Sequence, residues 1–271
     1  MFQVRSIVSL DLPELQPYRT MRRQMEHKVQ GIFVAEGEKV VRRLLESRFG
    51  VVSVLLPEKW LNDLEPLLAD RPETIQVYVA EKALLETLTG FSMYQGLLAV
   101  GRIPPQPSLD DILAQASRPI LLAAVDGLSS AENLGSVVRN CAAFRVHALF
   151  VGESSTSPFL RRSVRSSMGT IFQVTIMETG RLVDTLNTLK GKKIRLVAAH
   201  PHKQKETLAQ ANLREDCCIV LGSEGYGISE SILTLCDEKV AIPMASAVDS
   251  LNVGAAAAVF LYEANRQRGK M

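Results

Sequence analysis

The chain has 271 residues, enough for two domains of ordinary size, and 46% of them are hydrophobic against 22% charged. That balance predicts packed cores and excludes a disordered polymer. The formal net charge is only +2, so contact with nucleic acid would have to come from local basic patches, not from a global field.

The four cysteines, Cys141, Cys217, Cys218 and Cys236, form no C-x-x-C pair and mostly sit in apolar runs. They read as buried thiols, not as a metal site or a disulfide framework. Residues 1–17 lack a long apolar run and carry Asp11 and Glu14, which argues against a signal peptide. The longest apolar stretch, 253–262, is short of the roughly 20 residues that cross a bilayer. The expectation is a cytoplasmic protein with no membrane segment and no metal.

Residues 13–30 predict a helix with a basic face of Arg19, Arg22, Arg23 and Lys28, readable either as a solvated face or as a phosphate-contacting surface. After the apolar run Ile32-Phe33-Val34, Glu36-Gly37-Glu38 opens a helix whose Val40, Val41, Leu44 and Leu45 share one face. Strands are expected at 51–56, 75–79 and 95–100, with helices at 61–68 and 81–88. This makes a small α/β module.

Residues 101–107 then place three prolines in four positions, Pro104, Pro105 and Pro107, and predict a stiff linker. The domains are therefore drawn at 1–103 and 108–271. Ser108, ahead of Asp110 and Asp111, predicts a helix cap. Apolar runs follow at 120–125, 148–151, 172–177, 194–199, 217–221 and 240–242, with helical segments at 132–144, 159–168, 181–189, 228–235 and 251–267. Continuous apolar strands alternating with helices predict a mostly parallel sheet covered on both faces. Ligands of such sheets bind beyond the C-terminal strand ends. That points to the loops after Val125, Leu221 and Ile242.

In the first loop Asn133 lies near a helix start, where it could cap. Arg139 shares a helix face with the small residues Gly135 and Ser136, an arrangement open to an anionic group or to a plain surface ion pair. The second loop, Gly222-Ser223-Glu224-Gly225-Tyr226-Gly227, allows close ligand approach but matches neither a dinucleotide fingerprint nor a P-loop. In the third loop, Ile242-Pro243-Met244 leads to Ser250-Leu251-Asn252-Val253-Gly254 at the mouth of a helix, with Ser250 placed to cap it. No G-x-S-x-G elbow is present.

Taken together, Asn133-x-Gly135-x-x-x-Arg139, Gly222-Ser223-Glu224-Gly225-x-Gly227, and Ile242-Pro243-Met244 leading into Ser250-Leu251-Asn252-Val253 resemble the three motifs of the SpoU (TrmH-like) RNA ribose 2′-O-methyltransferases of the SPOUT superfamily. The likeness spans about 120–265 and includes a basic stretch at 161–169. Residues 31–101 resemble the small RNA-binding domain often fused in front, with signatures Glu36-Gly37 and Gln95-Gly96. Ser92-Met93-Tyr94 departs from that pattern, since relatives often carry a His there.

The resemblance implies an α/β fold with a trefoil knot, and a homodimer. It implies S-adenosyl-L-methionine held at Gly222, Ile242, Met244 and Leu251. Asn133, Arg139, Glu224, Ser250 and Asn252 are the expected catalytic residues: Arg139 at the ribose hydroxyl, Glu224 ordering its loop, the others orienting. Arg22, Arg23, Lys28, Arg161, Arg162 and Arg165 are expected RNA contacts. The implied substrate is structured RNA, ribosomal in preference to transfer RNA. The competing readings are a transfer RNA enzyme, a non-catalytic RNA-binding protein of the same fold, and a base methyltransferase. His200-Pro201-His202 reads as surface loop.

Overall fold

The computed structural model describes residues 1–89, 96–201, 206–245 and 248–269. The chain forms two compact units, one of Met1–Pro105 with Phe159–Phe172, the other of Gln106–Pro158 with Gln173–Met271. The Ser92-Met93-Tyr94-Gln95 stretch and His202 lie outside the described residues.

The first unit begins with strand β1 (Phe2–Ser6), then α1 (Gln16–Arg19), α2 (Gln24–Val29), β2 (Ile32–Glu36), α3 (Glu38–Leu45) and β3 (Val51–Leu56). It continues with α4 (Leu61–Ala69), β4 (Ile75–Val79), α5 (Lys82–Thr89) and β5 (Leu98–Arg102). The sheet order is β1-β4-β3-β5-β2, with β5 antiparallel to both its neighbours and the other pairs parallel. Leu15, Tyr18, Leu55, Tyr78, Leu85 and Leu98 lie in its core.

The single helix expected over 13–30 is broken. Thr20 ends α1, its hydroxyl donating to Gln16 O (3.0 Å) and lying 3.1 Å from Nε2 of buried His27. Leu15, Tyr18 and Met21 turn inward instead of continuing a helical stripe, so the basic residues do not share one helix face. The opening strand β1 was not expected. It is an edge strand with exposed side chains, and lacks the apolar pattern that marks a buried one.

The second unit opens with α6 (Leu109–Gln115), capped by Ser108 Oγ accepting from Asp111 N at 3.1 Å. Then come β6 (Leu121–Val125), α7 (Ala131–Ala143) and β7 (Ala148–Val151). The chain next enters the first unit, where α8 (Arg161–Ser166) lies, and returns for β8 (Ile176–Glu178), α9 (Leu182–Gly191), β9 (Arg195–Ala199) and β10 (Glu206–Thr207). It ends with β11 (Cys217–Leu221), α10 (Glu230–Leu235), β12 (Glu238–Ala241) and α11 (Val253–Gln267).

All seven strands of this sheet run parallel, in the order β10-β12-β9-β11-β6-β7-β8. Strands β6, β7 and β11 are buried at every residue, as a sheet covered on both faces requires. Leu122, Phe150, Leu186, Leu196, Val220 and Ile232 fill one layer of the core. The strand expected at 172–177 is a 3-10 turn at Thr170–Gln173 followed by short β8. Among the described residues no helix is long and apolar enough to cross a membrane.

Candidate active site

A cavity of about 630 Å³ opens at the C-terminal ends of β9, β11 and β12. Gly222, Ser223, Glu224, Tyr226, Ile242, Met244, Ser250 and Leu251 line it, backed by Leu221, Ile228 and Phe260. The predicted cofactor residues Gly222, Ile242, Met244 and Leu251 thus share one cavity with Glu224 and Ser250.

The second loop is a tight turn closed by reciprocal backbone hydrogen bonds of 3.0 Å between Ser223 and Gly227. Gly222 must be glycine for this turn to close. A Cβ there would sit 2.2 Å from Gly227 C and 2.3 Å from Ile228 N. Buried Asp126 stitches the first loop to this one: its amide donates to Leu221 O (2.9 Å) and its carboxylate accepts from Ser229 N (2.7 Å).

The first turn of α7, the second loop and the start of α11 meet at Asn252. Its Nδ2 donates to Asn133 Oδ1 (3.0 Å) and to Glu224 Oε1 (2.7 Å), while its Oδ1 accepts from Gly254 N (2.9 Å). The amide orientation follows from that last bond, since only the oxygen can accept from a backbone N–H. Asn133 therefore turns its oxygen to Asn252 and keeps its own Nδ2 as a donor. Both hydrogens of the Asn252 amide are committed, which fixes this side chain as a hinge pin among the loops.

The caps differ from expectation. Asn252, not Ser250, caps α11, which begins at Val253; Ser250 is exposed and too early in the chain to reach the first free amides. Ser130, not Asn133, caps α7, accepting from Asn133 N at 3.2 Å. Asn133 is thereby free to turn its side chain to α11. The small residues beside Arg139 also have another use. Gly254 packs where a Cβ would lie 2.9 Å from Ser136 Cβ, and Gly135 is buried, so this face receives the first turn of α11 instead of standing open. Asn140, not singled out beforehand, holds that contact by donating to Gly254 O at 2.6 Å. Its signal was present in the sequence, a polar side chain next to Arg139 on a helix of small residues.

Arg139 is exposed and has no hydrogen-bond or ion-pair partner among the described residues. No carboxylate among the described residues pairs with it, which leaves its guanidinium available. Arg22, Lys28 and Arg162 are also exposed, and Arg23 is paired with Glu26 at 3.2 Å. Arg161 and Arg165 both hold the buried carboxylate of Glu36, Arg165 at 2.8 Å, which leaves Arg161, 14% exposed, little surface to offer an RNA phosphate.

The cysteines are all free thiols. Burial pushes Cys141 up to about 12 and Cys236 up to about 11, and raises Cys217 and Cys218 as well. Burial thus favours the neutral thiol at all four. Among the described residues no group of three or more His, Cys, Asp or Glu is placed to hold a metal ion.

The chain is similar to known proteins in sequence and in fold. The model of the SpoU rRNA Methylase family matches residues 120–262. An uncharacterized tRNA/rRNA methyltransferase of Mycobacterium tuberculosis is 33% identical, across 97% of this chain and 92% of its own. The 23S rRNA (guanosine-2′-O-)-methyltransferase RlmB of Photorhabdus laumondii is 32% identical, across 86% of this chain and 97% of its own. The crystal structure of the SpoU methyltransferase AviRb from Streptomyces viridochromogenes, in complex with the cofactor AdoMet, is similar with a TM-score of 0.82 and 25% identity, covering 96% of this chain and 100% of that one.

Proposed function

Because the chain belongs to the SpoU rRNA methylase family, we propose that it is an RNA (ribose-2′-O-) methyltransferase that uses S-adenosyl-L-methionine and acts on 23S ribosomal RNA. The observation that carries this reading is the meeting of Asn133 in the first turn of α7, Glu224 in the second loop and Asn252 at the cap of α11, beside a cavity that Glu224 lines.

The residues present fit the cofactor. A cavity of about 630 Å³ is in the usual range for small-molecule sites. Its apolar wall of Leu221, Ile242, Met244, Leu251 and Phe260 suits a purine, and the Glu224 carboxylate at its lip suits a sulfonium. When bound, the sulfonium supplies an electrophilic methyl group.

The chain's own groups then have to seat a ribose hydroxyl and keep it aligned. The remaining donor of Asn133 and the exposed hydroxyl of Ser250 are available to orient it, while Asn252 keeps both loops in place. Arg139 engages the RNA phosphate and the ribose. A guanidinium with a pKa above about 12 is already protonated and cannot accept another proton, so positioning is its larger role, and the hydroxyl proton passes by way of the RNA phosphate to solvent water.

In this reading the first unit, with Arg22, Arg23, Lys28 and Arg162, binds the RNA, and the second unit carries the catalytic machinery. The enzyme works in the cytoplasm as a homodimer with the family's trefoil knot; sedimentation tests the dimer. To test the activity, 2′-O-methyl sites would be mapped in ribosomal and transfer RNA from a deletion strain, before and after treatment with purified protein and S-adenosyl-L-methionine. One 23S position should be lost and restored. Restoration in transfer RNA alone would defeat the ribosomal assignment, and methyl groups on a base would defeat the ribose chemistry.

A further inference from the structure

We infer that Tyr226 is a stacking platform for an unpaired nucleobase, so that the RNA presents its target region splayed out and not in a duplex. The inference rests on the methyltransferase reading above and names the form of RNA that the site takes.

Tyr226 is 99% exposed, more than any other large hydrophobic residue among those described. It stands at the tip of the turn closed by Ser223 and Gly227, and its amide donates to Ser223 Oγ at 3.1 Å. A fixed backbone therefore holds a fully solvated ring. Gly225 and Gly227 flank it, and a Cβ at either would meet nothing within 4 Å. Space is open on both sides of the residue, which a planar ligand could use.

The turn does not call for an aromatic here. The Gly222-Ser223-Glu224-Gly225-x-Gly227 pattern leaves position 226 unspecified, and the ring hydroxyl has no partner among the described residues. What distinguishes the position is its setting. Tyr226 lines the same cavity as Glu224, which is bonded to Asn252. An exposed ring beside a site for a ribose hydroxyl suits the face of a base on the same strand, because every base offers a π-face and only an unpaired one exposes it. The cavity's own apolar wall, Leu221, Ile242 and Phe260, leaves the cofactor's purine no need of this ring.

The test uses the full-length enzyme. Tyr226→Ala should raise the KM for its RNA by roughly 5- to 150-fold, the range for loss of one stacked base, while Tyr226→Phe stays near wild type. S-adenosyl-L-methionine affinity by titration calorimetry should be unchanged in both. Independently of turnover, the added fluorescence of Tyr226→Trp, over the background of Trp60, should be quenched by oligouridylate and not by a paired duplex of equal length. An unchanged KM in Tyr226→Ala, or equal quenching by both oligonucleotides, would overturn the inference. So would weakened cofactor binding, which would assign the ring to the purine, or a changed oligomeric state, which would assign it to a second copy of the chain. Quenching as expected in Tyr226→Trp, together with a wild-type enzyme that methylates no RNA, would instead defeat the activity.

Discussion

At the scale of single residues, Asn252 combines two functions that mutation can separate. Its oxygen caps α11 and its amide nitrogen joins Asn133 to Glu224. Asn252→Asp keeps a cap acceptor but sets a carboxylate against Glu224, so helix stability should hold while activity collapses. Asn252→Ala should lose activity and also about 1 kcal/mol of stability through the missing cap. Thermal denaturation beside methyl-transfer assays would distinguish them, and an Asn252→Asp enzyme of normal rate would remove the organising role. Arg139, unpaired within the described chain, is the complementary case. Arg139→Ala should abolish transfer with cofactor binding nearly intact, and Arg139→Lys should restore little, because a point charge does not replace a planar fork of donors. Full activity in the alanine variant would dismiss the assignment. These two residues were legible from spacing, but their roles were not. Which of two neighbouring polar residues caps a helix depends on where its first turn begins, and only packing against α7 sets that for α11.

At the scale of elements, the parallel sheet was readable because β6, β7 and β11 are apolar throughout. The break between α1 and α2 was not, because it depends on Thr20 finding both Gln16 O and His27. That joint has a pH signature. Burial pulls the His27 imidazole below its usual 6.5, so the unfolded chain takes up a proton more readily than the folded one. Stability should fall as pH drops from 6.5 towards the folded value, and be untouched by this residue above that range. In His27→Gln, which keeps a partner for Thr20, the fall should be shallower. Urea denaturation at pH 7.5 and 5.5 measures it, and identical slopes in both proteins would exclude His27 as the source.

At the scale of the whole molecule, the sequence suggests one crossing from a first domain to a second, at the prolines. The compact units show that the chain crosses three times, at 105–106, 158–159 and 172–173. In the sequence 159–172 resembles any basic helical stretch, and nothing local says which core it joins. Within the first unit its anchors are plain. Phe159 and Phe172 pack with Phe33 and Phe49 at ring separations of 5.3 to 6.2 Å, and Glu36 holds Arg161 and Arg165. Glu36→Ala strands the mostly buried Arg161 and should cost about 3–5 kcal/mol. Arg165→Ala, at a side chain 55% exposed, should cost under about 1 kcal/mol. Equal losses in chemical denaturation would contradict this ranking.

The triple crossing bears on modularity. A proteolytic nick after Pro105 would cut the linker without freeing a cassette, since the N-terminal fragment would still enclose fourteen residues, 159–172, belonging to the other. The two pieces should elute together until denaturant parts them. Exchanging the first unit for another would mean grafting a receptor for that borrowed segment, not only splicing at the prolines.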